Sequence, residues 1–225
     1  MEIIYEDNHL VAVNKLAGEI VQGDKTGDEP LSGRVKTYLK NKYNKPGNVF
    51  LGVAHRIDRP VSGVVLFART SKALERINEM IKKREIKKIY WAVVGNKPAA
   101  ASGTLTHYLV RNTEKNISTA YDREVLNSQK AVLSYKAVGN DNGYYYLEID
   151  LETGRHHQIR AQLAKIGCPI VGDVKYGYGR PDRDGGIHLH SRRMEFVHPV
   201  AKTFVNIEAA PPNDPIWEGF GFDHE

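Results

Sequence analysis

The chain has 225 residues, of which 41% are apolar and 26% charged, which is ample for a sizeable core and ordinary for a soluble globular protein. A net charge of +5 suits a polyanionic partner without requiring one. The single cysteine, Cys168, excludes an intrachain disulfide; no apolar run approaches the ~20 residues of a membrane span, and the acidic N-terminus lacks a signal-peptide pattern, so a cytoplasmic protein off the membrane is expected.

In chain order, Glu2 to Tyr5 and His9 to Asn14 are β-branched runs around Glu6-Asp7-Asn8, which predicts a hairpin. Lys15 and Gly18 turn the chain, and a polar loop runs from Gly23 to Pro30. Leu31, Val35, Tyr38 and Leu39 recur at helical spacing through Tyr43. Next comes Val53 to Arg69, where the ionisable group His55, Arg56, Asp58 and Arg59 precedes a turn at Pro60 and Ser62-Gly63 and an apolar run from Val64 to Ala68. That run predicts a buried strand. Charges so close to a core persist when they are paired or when a site uses them. The alternative is a solvated surface loop.

Ser71 is the expected N-cap of an amphipathic helix through Lys83, with Glu75 in its first turn. Lys82, Lys83, Arg84, Lys87 and Lys88 gather near its end, where cations complement the helix dipole or contact phosphates. Ile89 to Val94 predicts a strand with Tyr90 and Ala92 on one face. Further strands are expected at 105–110, 119–125, 131–138 and 144–151, a meander that implies antiparallel pairing. Ile159, Leu163 and Ile166 mark a short helix stopped by Gly167 and Pro169. A loop over 172–186, two strands at 187–197 and 203–209, and an irregular tail from Pro211 complete the chain. With no repeat and no linker-like shift in composition, a single domain over 1–225 is expected.

A second dense cluster is Thr153-Gly154-Arg155-His156-His157-Gln158-Ile159-Arg160. Gly154 permits a sharp turn into the helix, and Arg155 at that junction could present a bidentate fork to a carboxylate such as Asp58, or make a structural salt bridge. No metal site is expected: His156 and His157 would diverge on a helix, His188 and His190 share a strand face as core or hydrogen-bonding residues, and no zinc-type spacing occurs. Nucleotide-binding glycine motifs and a nucleophile elbow are absent, so cofactor-dependent classes lose ground. What is left is Asp58, Tyr90, Arg155 and basic charge, which suits either cofactor-free chemistry on a polyanion or plain binding.

These residues resemble the RluA-type family of RNA pseudouridine synthases. His55-Arg56-Ile57-Asp58-Arg59 with Ser62-Gly63 is similar to its catalytic loop, Lys88-Ile89-Tyr90 to its Lys-x-Tyr strand, and Thr153 to Arg160 to its Thr-Gly-Arg-x-His-Gln-Ile-Arg motif. Pro169 to Asp173 with Tyr176-Gly177, and Leu189-His190-Ser191 through Phe196 to Pro199, match later segments. Departures are Ile57 for the common leucine, His156 for a small residue, Ala161-Gln162 for Val-His, and Leu16 where proline is usual after the lysine.

The resemblance implies an α+β fold with a mixed, largely antiparallel central sheet, flanking helices and a catalytic cleft across it; some relatives carry a separate N-terminal S4-type RNA-binding domain, and none is expected here because the catalytic motifs start almost at once. It implies that Asp58 is the catalytic carboxylate, attacking the uridine base or its ribose carbon, that Tyr90 stacks on the target base, and that Arg155 pairs with Asp58. His55, Arg56, Arg59, Lys82, Lys83 and Arg160 are the expected RNA-binding residues, Arg56 holding the strand from which the base is flipped. The expected partner is ribosomal or transfer RNA, and the expected protein is a monomer without a cofactor, nucleotide or metal. A non-catalytic RNA-binding or chaperone protein on the same scaffold is the alternative. A hydrolase with paired carboxylates ranks last, Glu152 being its one nearby second acid.

Overall fold

The computed structural model describes residues 1–24, 26–182 and 185–221; the parts of the expected loops at 25 and 183–184, and of the tail at 222–225, lie outside it. The chain divides into two compact units, residues 1–86 with 191–210 and residues 87–190 with 211–225. As expected, it is α+β with a largely antiparallel central sheet.

In the first unit, β1 (Glu2–Glu6) and β2 (Leu10–Lys15) form the expected hairpin. Its turn is set by Asp7, whose Oδ1 accepts the N–H groups of His9 and Leu10 at 2.7 and 2.8 Å. β2 then pairs antiparallel with β4 (Ser62–Ala68), from Leu10 opposite Ala68 to Lys15 opposite Gly63. All of β4 is buried, which is why its sequence is apolar without alternation. A two-residue strand, β3 (Gly52–Val53), also pairs with β4; it is too short to leave a pattern in the sequence. Two helices, α1 (Leu31–Lys42) and α2 (Ser71–Lys83), belong to this unit, as does the hairpin of β10 (Leu189–Val197, from Ser191 onward) and β11 (Phe204–Glu208).

Helix α2 buries Ala73 and Ile77 in a core with Leu10, Val64, Leu66, Phe196 and Val205. A Cβ on Gly52 would stand 2.7 Å from the Leu74 side chain, so β3 runs hard against this helix. The cap is one residue earlier than expected: Thr70, not Ser71, accepts the N–H of Ala73 at 3.1 Å, and Glu75 falls outside the first turn. Both Thr and Ser can cap; the strand end at Ala68 fixes which one is still extended.

In the second unit the strand order is β5-β9-β8-β6-β7, where β5 is Lys87–Val94, β6 Ser102–Asn112, β7 Ile117–Tyr121, β8 Gln129–Asp141 and β9 Tyr144–Leu151. Every neighbouring pair is antiparallel. The β8–β9 hairpin turns on Asn142-Gly143, both with positive φ (50° and 83°), the tight-turn geometry this dipeptide favours. β7 begins earlier than the expected 119–125 and stops before Asp122, whose carboxylate is bonded to Lys165 instead.

Helix α3 (Gln158–Lys165) ends as expected, with Gly167 at φ +77°. The tail corrects the sequence reading. Asp214 caps a 3₁₀ turn over Pro215–Phe220; Trp217 is buried, and Phe220 stacks on Trp91 with centroids 4.4 Å apart. Aromatic burial overrides the Pro/Gly composition that suggested irregularity.

Candidate active site

In the first unit, Asp58 sits on the loop between β3 and β4, on a turn closed by a 3.0 Å bond from Val61 N–H to the Asp58 carbonyl. Ile57 is 9% exposed and anchors the loop in the core, while Arg56 and Arg59 on either side of it are exposed. A short apolar residue between two arginines thus sets which side chains point out. Gly63 adopts φ +111°, and a Cβ there would collide with the Ser191 backbone, so β4 can begin there only with glycine.

Two groups pin the loop from below. Lys15, at the end of β2, is fully buried. Its ammonium donates to the carbonyls of Leu16 (2.9 Å), Glu19 (2.8 Å) and Arg59 (3.1 Å), which uses all three of its protons. The Arg59 carbonyl also accepts the Gly18 N–H at 2.9 Å. Burial pushes Lys15 down to about 8, against the attraction of Glu19 and Asp58, so the ammonium is mostly charged near neutral pH. The second pin is His55, whose Nε2 accepts the Leu66 N–H at 2.9 Å. An accepting ring nitrogen carries no proton, so the imidazole is neutral and spliced to β4. That bond gives His55 a part in positioning the loop.

The other expected RNA contacts of this unit are solvent-facing. Arg59 makes an exposed 2.7 Å ion pair with Asp28, and Lys83 one with Glu79 at 2.7 Å. Such solvent-screened pairs are weak and yield readily to a phosphate. Lys82 is exposed in the last turn of α2.

In the second unit, Tyr90 lies on β5, 7% exposed, opposite Ile149 of β9. Arg155 lies exposed before α3, and its Nε donates to the Lys130 carbonyl at 3.1 Å. Its backbone is held by a residue the sequence reading passed over. Gln158 is 3% exposed; its Oε1 accepts from Thr153 Oγ1 (2.8 Å) and from Arg155 N–H (2.9 Å), and its Nε2 donates to the Val132 carbonyl (3.1 Å). The bend at Thr153-Gly154-Arg155 is therefore fixed by a buried amide, and a glutamine at the first position of a helix that also reads as buried is the signal for it. Lys88 lies under the same bend: its Nζ would be 3.5 Å from a Cβ on Gly154, and burial lowers its pKa against the pull of Asp150.

Arg160 requires a correction. Its side chain is buried, Nε and an Nη donating to the two Asp173 oxygens at 2.7 and 2.8 Å, and its guanidinium lies 5.0 Å from the Tyr176 ring centroid. A guanidinium committed in this way braces α3 against the following segment and is withdrawn from the RNA-binding set. Removing one partner of a buried pair costs about 3–5 kcal/mol. Arg160→Met is thus expected to lower urea-unfolding stability by about that much, while RNA affinity of the folded fraction, read by filter binding in the cold, stays unchanged.

The histidine pair is also corrected. His157 has φ 52° ahead of α3, and its ring stacks on His156 with centroids 3.8 Å apart rather than diverging. Burial first, then Arg160, presses His157 down to about 2, so its ring is neutral. The unfolded chain takes up a proton near pH 6.5 that the folded chain refuses, so stability falls as pH drops below that value. After allowance for screening, this is worth about 1 kcal/mol between about pH 7.5 and about pH 5.5. His157→Asn keeps a residue that tolerates positive φ and should shrink the difference in urea stability between the two pH values by that amount.

A family model described as RNA pseudouridylate synthase matches residues 9–165. The chain belongs to this family. Transfer RNA pseudouridine synthase C of Vibrio cholerae is 30% identical over 97% of this chain and 93% of that protein. Ribosomal large subunit pseudouridine synthase D of Xylella fastidiosa is 32% identical over 95% of this chain and 67% of that protein. The solved structure of human RNA pseudouridylate synthase domain containing 4 shares the fold, with a TM-score of 0.78 and 22% identity over 94% of this chain and 89% of that one. The synthase is therefore an isomerase. Of its two specific sequence motifs, one supplies the pinned Asp58 loop and the other the Gln158-braced Arg155 bend. Among the described residues, no helix is long and apolar enough to cross a membrane.

Proposed function

We propose that this synthase converts specific uridines in structured ribosomal or transfer RNA to pseudouridine, as a cytoplasmic monomer without a cofactor, with the whole of 1–225 as its catalytic domain. The reaction replaces the N1–C1′ glycosidic bond by a C5–C1′ bond; the C5 hydrogen leaves to solvent as a proton and N1 takes up a proton in its place. Asp58 is the catalytic carboxylate, Tyr90 the ring that stacks on the target base, and Arg155 the third catalytic residue. The observation that best supports Asp58 is its turn: an acid followed by a carbonyl that a buried ammonium and a backbone N–H both grip is held ready for chemistry. Extracting a base from a strand costs roughly a few kcal/mol, which stacking on a ring and contacts to phosphates repay. Arg56, Arg59, Lys82 and Lys83 are exposed cations suited to those contacts.

The test is carbodiimide mapping of pseudouridines in total RNA from cells with and without the protein. One or a few sites in ribosomal or transfer RNA should vanish without it and return on complementation. Identical maps would rule the proposal out.

A further inference from the structure

Three donors outside this chemistry converge in the second unit. One ring nitrogen of His188 and one carboxylate oxygen each from Asp182 and Asp214 all lie within 4.8 Å of one another. His188 is 2% exposed and fixed at its backbone, its N–H donating to the Val171 carbonyl and its carbonyl accepting the Val93 N–H, both at 2.9 Å. Its ring packs 5.4 Å from the centroid of Trp217. Asp214 is aimed by its own cap: Oδ1 accepts the Ile216 N–H at 2.9 Å, leaving Oδ2 3.0 Å from His188 Nε2.

The other ring nitrogen is the anomaly. Nδ1 of His188 is buried and makes no hydrogen bond, yet an Asp182 oxygen stands 3.3 Å from it. In the neutral ring with its proton on Nε2 toward Asp214, the Nδ1 lone pair faces a carboxylate, which is repulsive. A proton on Nδ1 would relieve that, but the Asp182 oxygen is outside hydrogen-bonding geometry for it. A cation on the Nδ1 lone pair removes that repulsion and attracts both carboxylates, one oxygen of each lying within 4.8 Å of a ring nitrogen and of the other.

We propose that Asp182, His188 and Asp214 form a divalent-cation site that ties the loop ending at His188 to the C-terminal 3₁₀ turn. An imidazole with two carboxylates is a donor set for zinc or a similar first-row ion rather than for magnesium or calcium, which prefer all-oxygen shells. Zinc–ligand bonds of ~2.0–2.2 Å place tetrahedral ligands ~3.3–3.5 Å apart; the Nδ1–Asp182 separation of 3.3 Å fits this, while the 3.0 Å contact of Asp214 is to Nε2, the other ring nitrogen, so Asp214 turns its carboxylate to join the same ion. Because the ligands come together only in the folded chain, binding raises stability by mass action. Zinc-type spacing was absent from the sequence because the ligands stand at 182, 188 and 214, on a loop, before a strand and in the tail.

The test is calorimetric titration of zinc chloride into protein first dialysed against a chelator, with magnesium chloride as the comparison ion, alongside thermal unfolding of the same samples. One zinc per chain should bind with a rise in melting temperature, and magnesium should not compete. Asp182→Asn and Asp214→Asn should each weaken zinc about tenfold or more; the second keeps a residue able to cap the 3₁₀ turn, so loss of binding there is not loss of fold. No stoichiometric zinc binding, or zinc affinity unchanged in both variants, would overturn the site. So would melting that depends on His188 and pH but not on zinc, which would assign the gap to a proton.

Discussion

Asp58→Asn is expected to lower the rate of pseudouridine formation by roughly 10⁴-fold while leaving RNA affinity largely unchanged. The effect is of the size seen when a group central to covalent catalysis is removed. Asparagine keeps the volume and much of the polarity of the side chain, and the backbone of the turn is held by Lys15 and Gly18 through the Arg59 carbonyl. The variant therefore separates chemistry from folding and binding. Single-turnover assays on RNA lacking the modification, with filter binding on the same RNA, give both numbers. Retained turnover would show that Asp58 is not the reacting group, and equal loss of binding would favour a purely RNA-binding role.

Lys15→Met should be the most damaging change outside the reacting groups. Methionine matches the length of the side chain but leaves three carbonyls without the ammonium that holds them; the Arg59 oxygen retains the Gly18 N–H at 2.9 Å and the Leu16 oxygen a long 3.4 Å bond from the Glu19 N–H. Each orphaned buried acceptor costs about 1–3 kcal/mol, and removal of the buried charge recovers part of that. A net loss of about 3 kcal/mol is expected, a large share of the 5–15 kcal/mol typical of a folded protein. The check is a shift of the urea midpoint without a change in slope. A second readout separates positioning from stability: at low temperature, where the variant remains folded, its single-turnover rate should still fall, because the turn bearing Asp58 is looser. A variant as stable and as fast as the parent would remove Lys15 from any role in that turn.

The elements with strong local signals were legible in the sequence. The β1–β2 hairpin, the unbroken Val64–Ala68 run, the stop at Gly167 and the Asn142-Gly143 turn each follow from a property of a few adjacent residues. What escaped depends on contacts between distant positions. Thr70 caps α2 in place of Ser71 because the end of the preceding strand decides which residue is extended. The tail is ordered because Phe220 meets Trp91, more than a hundred residues earlier.

The site divides along the same line. Asp58, Tyr90 and Arg155 could be singled out from residue types and motif spacing, yet the residues that hold them, Lys15, His55 and Gln158, look in the sequence like a surface lysine, a binding histidine and a helix-start glutamine. Only burial distinguishes them: Lys15 is fully enclosed and Gln158 nearly so. Arg160 is the converse, a motif arginine read as a phosphate ligand until Asp173, thirteen residues on, is found to accept from Nε and Nη2 along one edge of its guanidinium.

The most direct measurement uses RNA from cells lacking the protein, labelled with tritium at uridine C5, and follows tritium released to water on adding purified protein. Each isomerised uridine must give up that hydrogen. The account predicts stoichiometric release at the mapped sites with the parent protein and none above background with Asp58→Asn. Release that persists in the variant, or no release from the parent, would contradict it.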